Sequence, residues 1–470
     1  MLFKMKIKYI LLFLVTVLAL SACDDQLDIT PKGKTILEKT ADLEKLLNRN
    51  WDLGDPGPLC MVVNECYPDN DVPTVLSQKN TLNYALLTYD ETIDRASLTA
   101  SDEIYSNAYQ YIFYANTILS KADASEGEDT TKTLIKAEAH ILRAYMHYIL
   151  VNIYAPQYDA ATASQQSGVP YREDIDTHAQ PQKISVDEDY EKILADLSDN
   201  YITTLPDKAK EIRGSKAWGY AVKAKVLMQM KEYDKALPYA LKALEYNGTI
   251  ADRTSIISSN EWVIDEIDPS NIMYINHGMG KPWSEYLTKE TVEKFEDGDI
   301  TVNDAQCYGD PLWDDYYGEM LSGVKGCKEC QSFDLYWNNW GITSDRMYYV
   351  AAECYIRTGQ IQKGLDLINK VREKRIEPDA YKPFTASTEQ EAMALLQRAK
   401  FIECLATYDN FFDRKRWNTE ADYKETLTRH ITLKQSGKTM EFSIAPDSKL
   451  WIFPFPLNAT RNNPNLTQNY

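Results

Sequence analysis

Two stretches of the chain repeat one arrangement of small residues, and that arrangement limits the fold more than any other feature. Ala224, Ala236, Ala240 and Ala243 recur at helical intervals across residues 216–230 and 234–246, with Tyr233 as an aromatic knob between the two runs. Ala352, Gly359, Gly364 and Ile368 do the same across 346–357 and 361–374, with Tyr355 as the knob. Small side chains at fixed contact positions let two helices approach closely. Each pair then has one apolar face left to bury against the next pair, so stacking supplies the core.

This spacing resembles that of tetratricopeptide (TPR) hairpins, but the two lie much farther apart than a ~34-residue TPR period. The pattern therefore predicts helical pairs separated by a long insertion, not a continuous solenoid. Other segments share the 3.6-residue period. Ile104, Ala108, Ile112, Ala115 and Leu119 keep to one face, as do Leu134, Ala137, Ile141, Tyr145, Tyr148 and Ile149. Ser185 and Glu188 form a capping box that opens a helix over 186–199. A long amphipathic helix is expected over 389–407. No alternating pattern runs far, and 431–453 is the best candidate for a few short strands. The expected fold is mainly α.

The insertion, about 250–340, has a different character. Trp262, Trp283, Tyr286, Phe295, Tyr308, Trp313, Tyr316, Tyr317, Phe333, Tyr336, Trp337 and Trp340 lie among Gly, Pro, Asp and Asn, without helical period. This reads as loops with short elements, which on a rigid scaffold are where function concentrates.

Residues 1–22 are expected to be a leader. Lys4, Lys6 and Lys8 precede an apolar run from Tyr9 to Leu20, too short for the ~20 residues of a membrane span. Leu20-Ser21-Ala22-Cys23 resembles a bacterial lipobox, which implies cleavage before Cys23 and lipid attached to it. Acyl chains add ~0.8 kcal/mol per buried CH₂, so two or more hold a protein durably at a bilayer. Residues 23–35 are expected to form the anchor and tether, and 36–470 one helical domain carrying the insertion.

The charge of −19 excludes nucleic acid as a partner, because so acidic a surface repels a phosphate backbone. The cysteines other than Cys23 are Cys60, Cys66, Cys307, Cys327, Cys330, Cys354 and Cys404, an odd set that cannot all pair. Cys354 and Cys404 read as buried small hydrophobes. Cys327 and Cys330 have half of a zinc-ribbon spacing with no second half, so a local disulfide or free thiols are expected instead of a metal. No metal and no cofactor is expected. With five histidines the chain has little material for a histidine metal site, and His140 and His147, on one helix face, read as packing residues.

Several segments, in order, resemble the SusD/RagB family of nutrient-binding lipoproteins from Bacteroidetes. Ile104 to Leu119, with its aromatic and Ala-Asn pattern, resembles the family's early helix, and Lys136 to Tyr145 the next. Glu403 to Trp417 resembles a late segment ending Phe-Asp-x-Arg-Arg-Trp, though Tyr408-Asp-Asn stands where the family often has Gly and a basic residue. The tail Pro454-Phe-Pro456 and Asn463 to Asn469 resembles the family's ending. The resemblance implies TPR-like pairs, an irregular ligand-binding region and no catalysis. It also implies an outer-membrane location facing the cell exterior, and docking on a SusC-like TonB-dependent transporter.

A glycan ligand suits this composition, because sugar C–H faces stack on flat rings while Asn and Asp bond the hydroxyls. The candidate ligand-binding residues are Trp283, Trp313, Tyr316, Tyr317, Trp337, Asn338 and Trp340 in the insertion, with Asn64, Tyr67 and Asp69 in a second cluster ahead of the early helix. Peptide is the alternative ligand. A glycoside hydrolase would need two facing carboxylates. Asp297 with Asp299, or Asp314 with Asp315, are neighbours of the kind that 70 acids produce by chance. The expectation is a binding protein, not an enzyme.

Overall fold

A computed structural model describes residues 37–68, 71–210, 212–253, 268–277, 283–300, 318–332 and 338–470. Its frame is a series of packed helices: α1 (Glu103–Lys121), α2 (Asp129–Tyr154), α3 (Val186–Asp196), α4 (Lys216–Gln229), α5 (Tyr233–Tyr246), α6 (Ser344–Arg357), α7 (Ile361–Arg372), α8 (Glu389–Glu403) and α9 (Asp409–Trp417), with shorter helices between them. Each long helix predicted from the period forms, extended or trimmed by a few residues at its ends. The capping box at α3 is present. Glu188 Oε2 accepts from Ser185 N at 2.9 Å, and Ser185 Oγ accepts from Glu188 N at 3.2 Å.

Packing follows the predicted pairing: α1 on α2, α4 on α5, α6 on α7. Ala224, Ala236, Ala240 and Ala243 are fully buried where α4 meets α5. At the α6–α7 crossing a Cβ on Gly364 would lie 2.5 Å from Ile356 Cγ1 and 2.8 Å from Ala352 O, so only glycine allows that approach. Helix α5 packs directly on α6 although residues 247–343 separate them. The insertion therefore leaves the stack after one hairpin and returns to start the next. The principal core runs from Leu43 to Leu466, and a second apolar cluster joins α6, α7 and α8.

Helix α9 is charged yet buried, which the sequence alone makes surprising. Its Arg416 donates to both carboxylate oxygens of Glu353 on α6, at 2.7 and 2.9 Å, and Trp417 Nε1 donates to the same group at 2.8 Å. Asp413 accepts from Arg416, and Lys400 lies 2.5 Å from its other oxygen. Asp409 is paired with Lys225 and, at 3.0 Å, with Arg346. Buried charges persist only when paired and hydrogen-bonded, and here the pairs tie α4, α6, α8 and α9 together.

The strands are short: β1 (Cys66–Tyr67), β2 (Asn271–Met273), β3 (Trp283–Leu287), β4 (Lys328–Ser332), β5 (Ile342–Thr343), β6 (Leu427–Thr432) and β7 (Thr439–Ile444). The strand expectation at 431–453 is half right. β6 and β7 form an antiparallel hairpin that starts earlier, at Leu427. Beyond Ile444 the chain is an unpaired tail that buries Trp451, Phe453 and Phe455 in the core instead of joining a sheet. Cys354 and Cys404 are buried as expected, and Cys327 is a buried free thiol. His147 is buried in α2, its ring stacked 3.7 Å from Tyr171.

Candidate functional site

One small sheet organises the insertion. Its order is β1-β3-β4, antiparallel throughout. Tyr67 pairs with Tyr286, and Trp283 with Ser332. That register puts the C-terminal end of β1, the start of β3 and the end of β4 at the same edge. Two stretches far apart in sequence, Cys66–Tyr67 and Trp283–Leu287, thus share one sheet. Asp69, Trp313, Tyr316, Tyr317 and Trp337 themselves lie outside the described residues.

Trp340 and its neighbours form a buried, hydrogen-bonded cluster. Trp340 is 0% exposed. Its Nε1 donates to Gly54 O at 2.7 Å, and its ring stacks on Tyr408 at 5.6 Å and 9°. Tyr145 donates to Trp340 O and hydrogen-bonds Tyr408. Asn338, 7% exposed, spends its amide on three partners: Nδ2 donates to Asn271 Oδ1 and Met273 O, both at 2.8 Å, and Oδ1 accepts from Ile275 N at 3.0 Å. Asn339 donates to Ala406 O at 2.6 Å and accepts from His277 N at 3.3 Å.

Asn64 is also framework. It adopts a left-handed φ of 60°, which asparagine tolerates better than most residues. It donates to Thr428 O and accepts from Arg429 Nε at 2.8 Å. Arg429 in turn holds the carbonyls of Met61, Leu86 and Leu87. Tyr67 is 2% exposed and its hydroxyl donates to His430 O at 3.4 Å. Burial raises its pKa strongly. The ligand-contact expectation for Trp340, Asn338, Asn64 and Tyr67 is therefore corrected. As placed, their polar atoms are bonded within the protein and the rings of Trp340 and Tyr67 are buried, so they act as framework.

Sequence reasoning missed a partly exposed ion pair. His277 Nδ1 lies 3.1 Å from Asp52 Oδ1. That hydrogen bond, with the nearby acids Asp55 and Glu103, raises the His277 pKa. Asp52 O accepts from Tyr111 at 2.7 Å and Asn107 at 3.1 Å, both from α1. Arg49 covers the Tyr114 ring at 4.4 Å. The helical period of α1 shows only its apolar stripe, and nothing local in sequence links Asp52 to a histidine |i−j| = 225 away.

With this geometry in hand, comparison with known proteins places the chain. A family model described as "Starch-binding associating with outer membrane" matches residues 34–228, and a SusD family model matches 344–470. The chain belongs to the SusD/RagB family. Solved structures of similar fold include a SusD superfamily protein from Bacteroides thetaiotaomicron, at 16% identity and a TM-score of 0.68, covering 92% of this chain and 100% of that one. A SusD-like carbohydrate binding protein from Bacteroides vulgatus matches at 16% identity and 0.56, covering 91% and 97%. A SusD superfamily protein from Parabacteroides distasonis matches at 18% and 0.61, covering 91% and 98%. At these identities the likeness is one of fold. No protein of curated function matches significantly.

Proposed function

We propose that this chain is a lipid-anchored, outer-membrane surface protein that binds an oligosaccharide or polysaccharide and delivers it to a SusC-like TonB-dependent transporter. It acts by binding, without catalysis. The observation that carries the reading is the three-stranded sheet, whose register joins Cys66–Tyr67 to Trp283–Leu287, so that part of each candidate cluster belongs to one element. Family membership supports the class of ligand and the transporter as partner. The Leu20-Ser-Ala-Cys23 sequence supports the anchor, and no helix among the described residues is long and apolar enough to cross a membrane.

Stacked rings at such a site would each contribute ~1–3 kcal/mol to binding a ring ligand, by analogy with base stacking. The test is a glycan array with residues 24–470, followed by calorimetry on any hit with Trp283→Ala and Trp337→Ala. At least one variant should lose ~10-fold or more in affinity while its melting curve is unchanged. No binding to any glycan alongside binding to a peptide library would favour the peptide alternative. Release of reducing ends from a bound glycan would overturn the binding-only reading.

A further inference from the structure

A pocket of about 300 Å³ lies between α8, α9, the start of β6 and the short helix Lys289–Val292, with Asn64 in its wall. Its wall includes Lys294, Arg398 and Arg414, with Phe401, Trp417 and Leu427 as apolar surface. Among the described residues Lys294 Nζ donates only to Glu290 O, at 3.1 Å, with no carboxylate within ion-pair distance, and it sits 4.9 Å above the Phe401 ring. Arg398 likewise bonds backbone carbonyls, those of Lys294 and Phe295. Arg414 has one acid, the exposed Glu425 at 2.9 Å. The pocket's other acid, Glu290, has one oxygen bonded to His430 N and Nδ1 at 2.9 Å.

Many basic side chains of the interior are matched to acids, as around Glu353 and Asp409, while Lys415, Arg95 and Arg429 are held by backbone carbonyls and an amide. Here two partly buried cations stand near each other, and burial lowers the pKa of both Lys294 and Arg414. Like charges that share a desolvated wall raise each other's cost, and an anion between them relieves it. Among the described residues two polar atoms in the wall have no partner: Gln397 Nε2, a donor, and Glu290 Oε2, an acceptor that a sugar hydroxyl can meet and a carboxylate cannot. Inorganic phosphate would leave most of 300 Å³ and the apolar walls unused.

We propose that this pocket binds a carboxylated sugar ring, a uronate, with its carboxylate between Lys294 and Arg414 and its C–H face toward Phe401 and Trp417. Calorimetry on residues 24–470 with D-glucuronate, D-galacturonate, D-glucose and inorganic phosphate tests it. A uronate should bind at least ~10-fold more tightly than glucose, Lys294→Gln should remove that preference, and Lys294→Arg should keep most of it, with circular dichroism unchanged in both. Equal affinity for glucose and glucuronate, phosphate binding more tightly than either uronate, no uronate binding at millimolar concentration, or a preference untouched by Lys294→Gln would each overturn it. Loss of uronate binding in Lys294→Gln with any array ligand still bound at the sheet end would separate this pocket from the proposed glycan site.

Discussion

Single side chains of the framework have roles that their types do not announce. Trp340 looks like a ligand platform in sequence, yet its indole is fully enclosed and its N–H is bonded to a residue |i−j| = 286 away. Trp340→Ala should cost about 3–5 kcal/mol of stability by denaturant titration, because it opens a cavity and leaves Gly54 O unpaired. A loss below 1 kcal/mol would mean that the ring is not part of the core. His277 gives a second residue-level outcome. Its pKa is raised in the fold, so the Asp52 contact stabilises fully below the unfolded value of 6.5 and is lost as pH rises through the folded value. NMR titration should find His277 midway protonated above pH 6.5, and Asp52→Asn should bring it down.

At the scale of elements, much of the structure was legible because a helix writes its buried face every 3.6 residues into the sequence. The α4–α5 and α6–α7 pairs could be read from small residues at contact positions, and α3 from its cap. The strands could not. β1 and β5 are two residues each, and their pairing is set by partners in distant parts of the chain. The candidate site shares that limit: its aromatic composition was visible, but which rings face inward depends on long-range bonds such as those of Asn338 to Asn271 and Met273. The sharpest test of an element is Gly364. Gly364→Val would drive branched carbons into Ile356 and the Ala352 carbonyl, and should cost about 1–3 kcal/mol or more by thermal melting, because α6 and α7 cannot separate without disturbing α5 and α8. An unchanged melting temperature would show that the crossing is loose.

Across the whole molecule, the buried ion network and the buried histidine set the response to acid. His147 is neutral in the fold: desolvation lowers its pKa from 6.5 to about 3, while Nδ1 lies 2.8 Å from Arg143 O and Nε2 accepts from Arg172 N at 3.1 Å. The unfolded chain therefore binds a proton there first, and stability falls as pH drops from 6.5 toward 3. Asp409, where burial raises the pKa but Lys225 and Arg346 hold it down to about 2, adds a stabilisation that is present in full above 3.8 and is lost as pH falls through about 2. The Arg416 and Lys400 cations likewise lower the pKa of Glu353 against burial, so it acts in the same direction. Urea midpoints at pH 7.5, 5.5 and 3.5 should therefore decline in order, with the first interval dominated by His147. His147→Gln should reduce the decline in both intervals, leaving in the second what Asp409 and Glu353 contribute. The same pH dependence in the wild type and in His147→Gln would contradict the His147 assignment, because a buried neutral histidine binds its proton more readily in the unfolded chain.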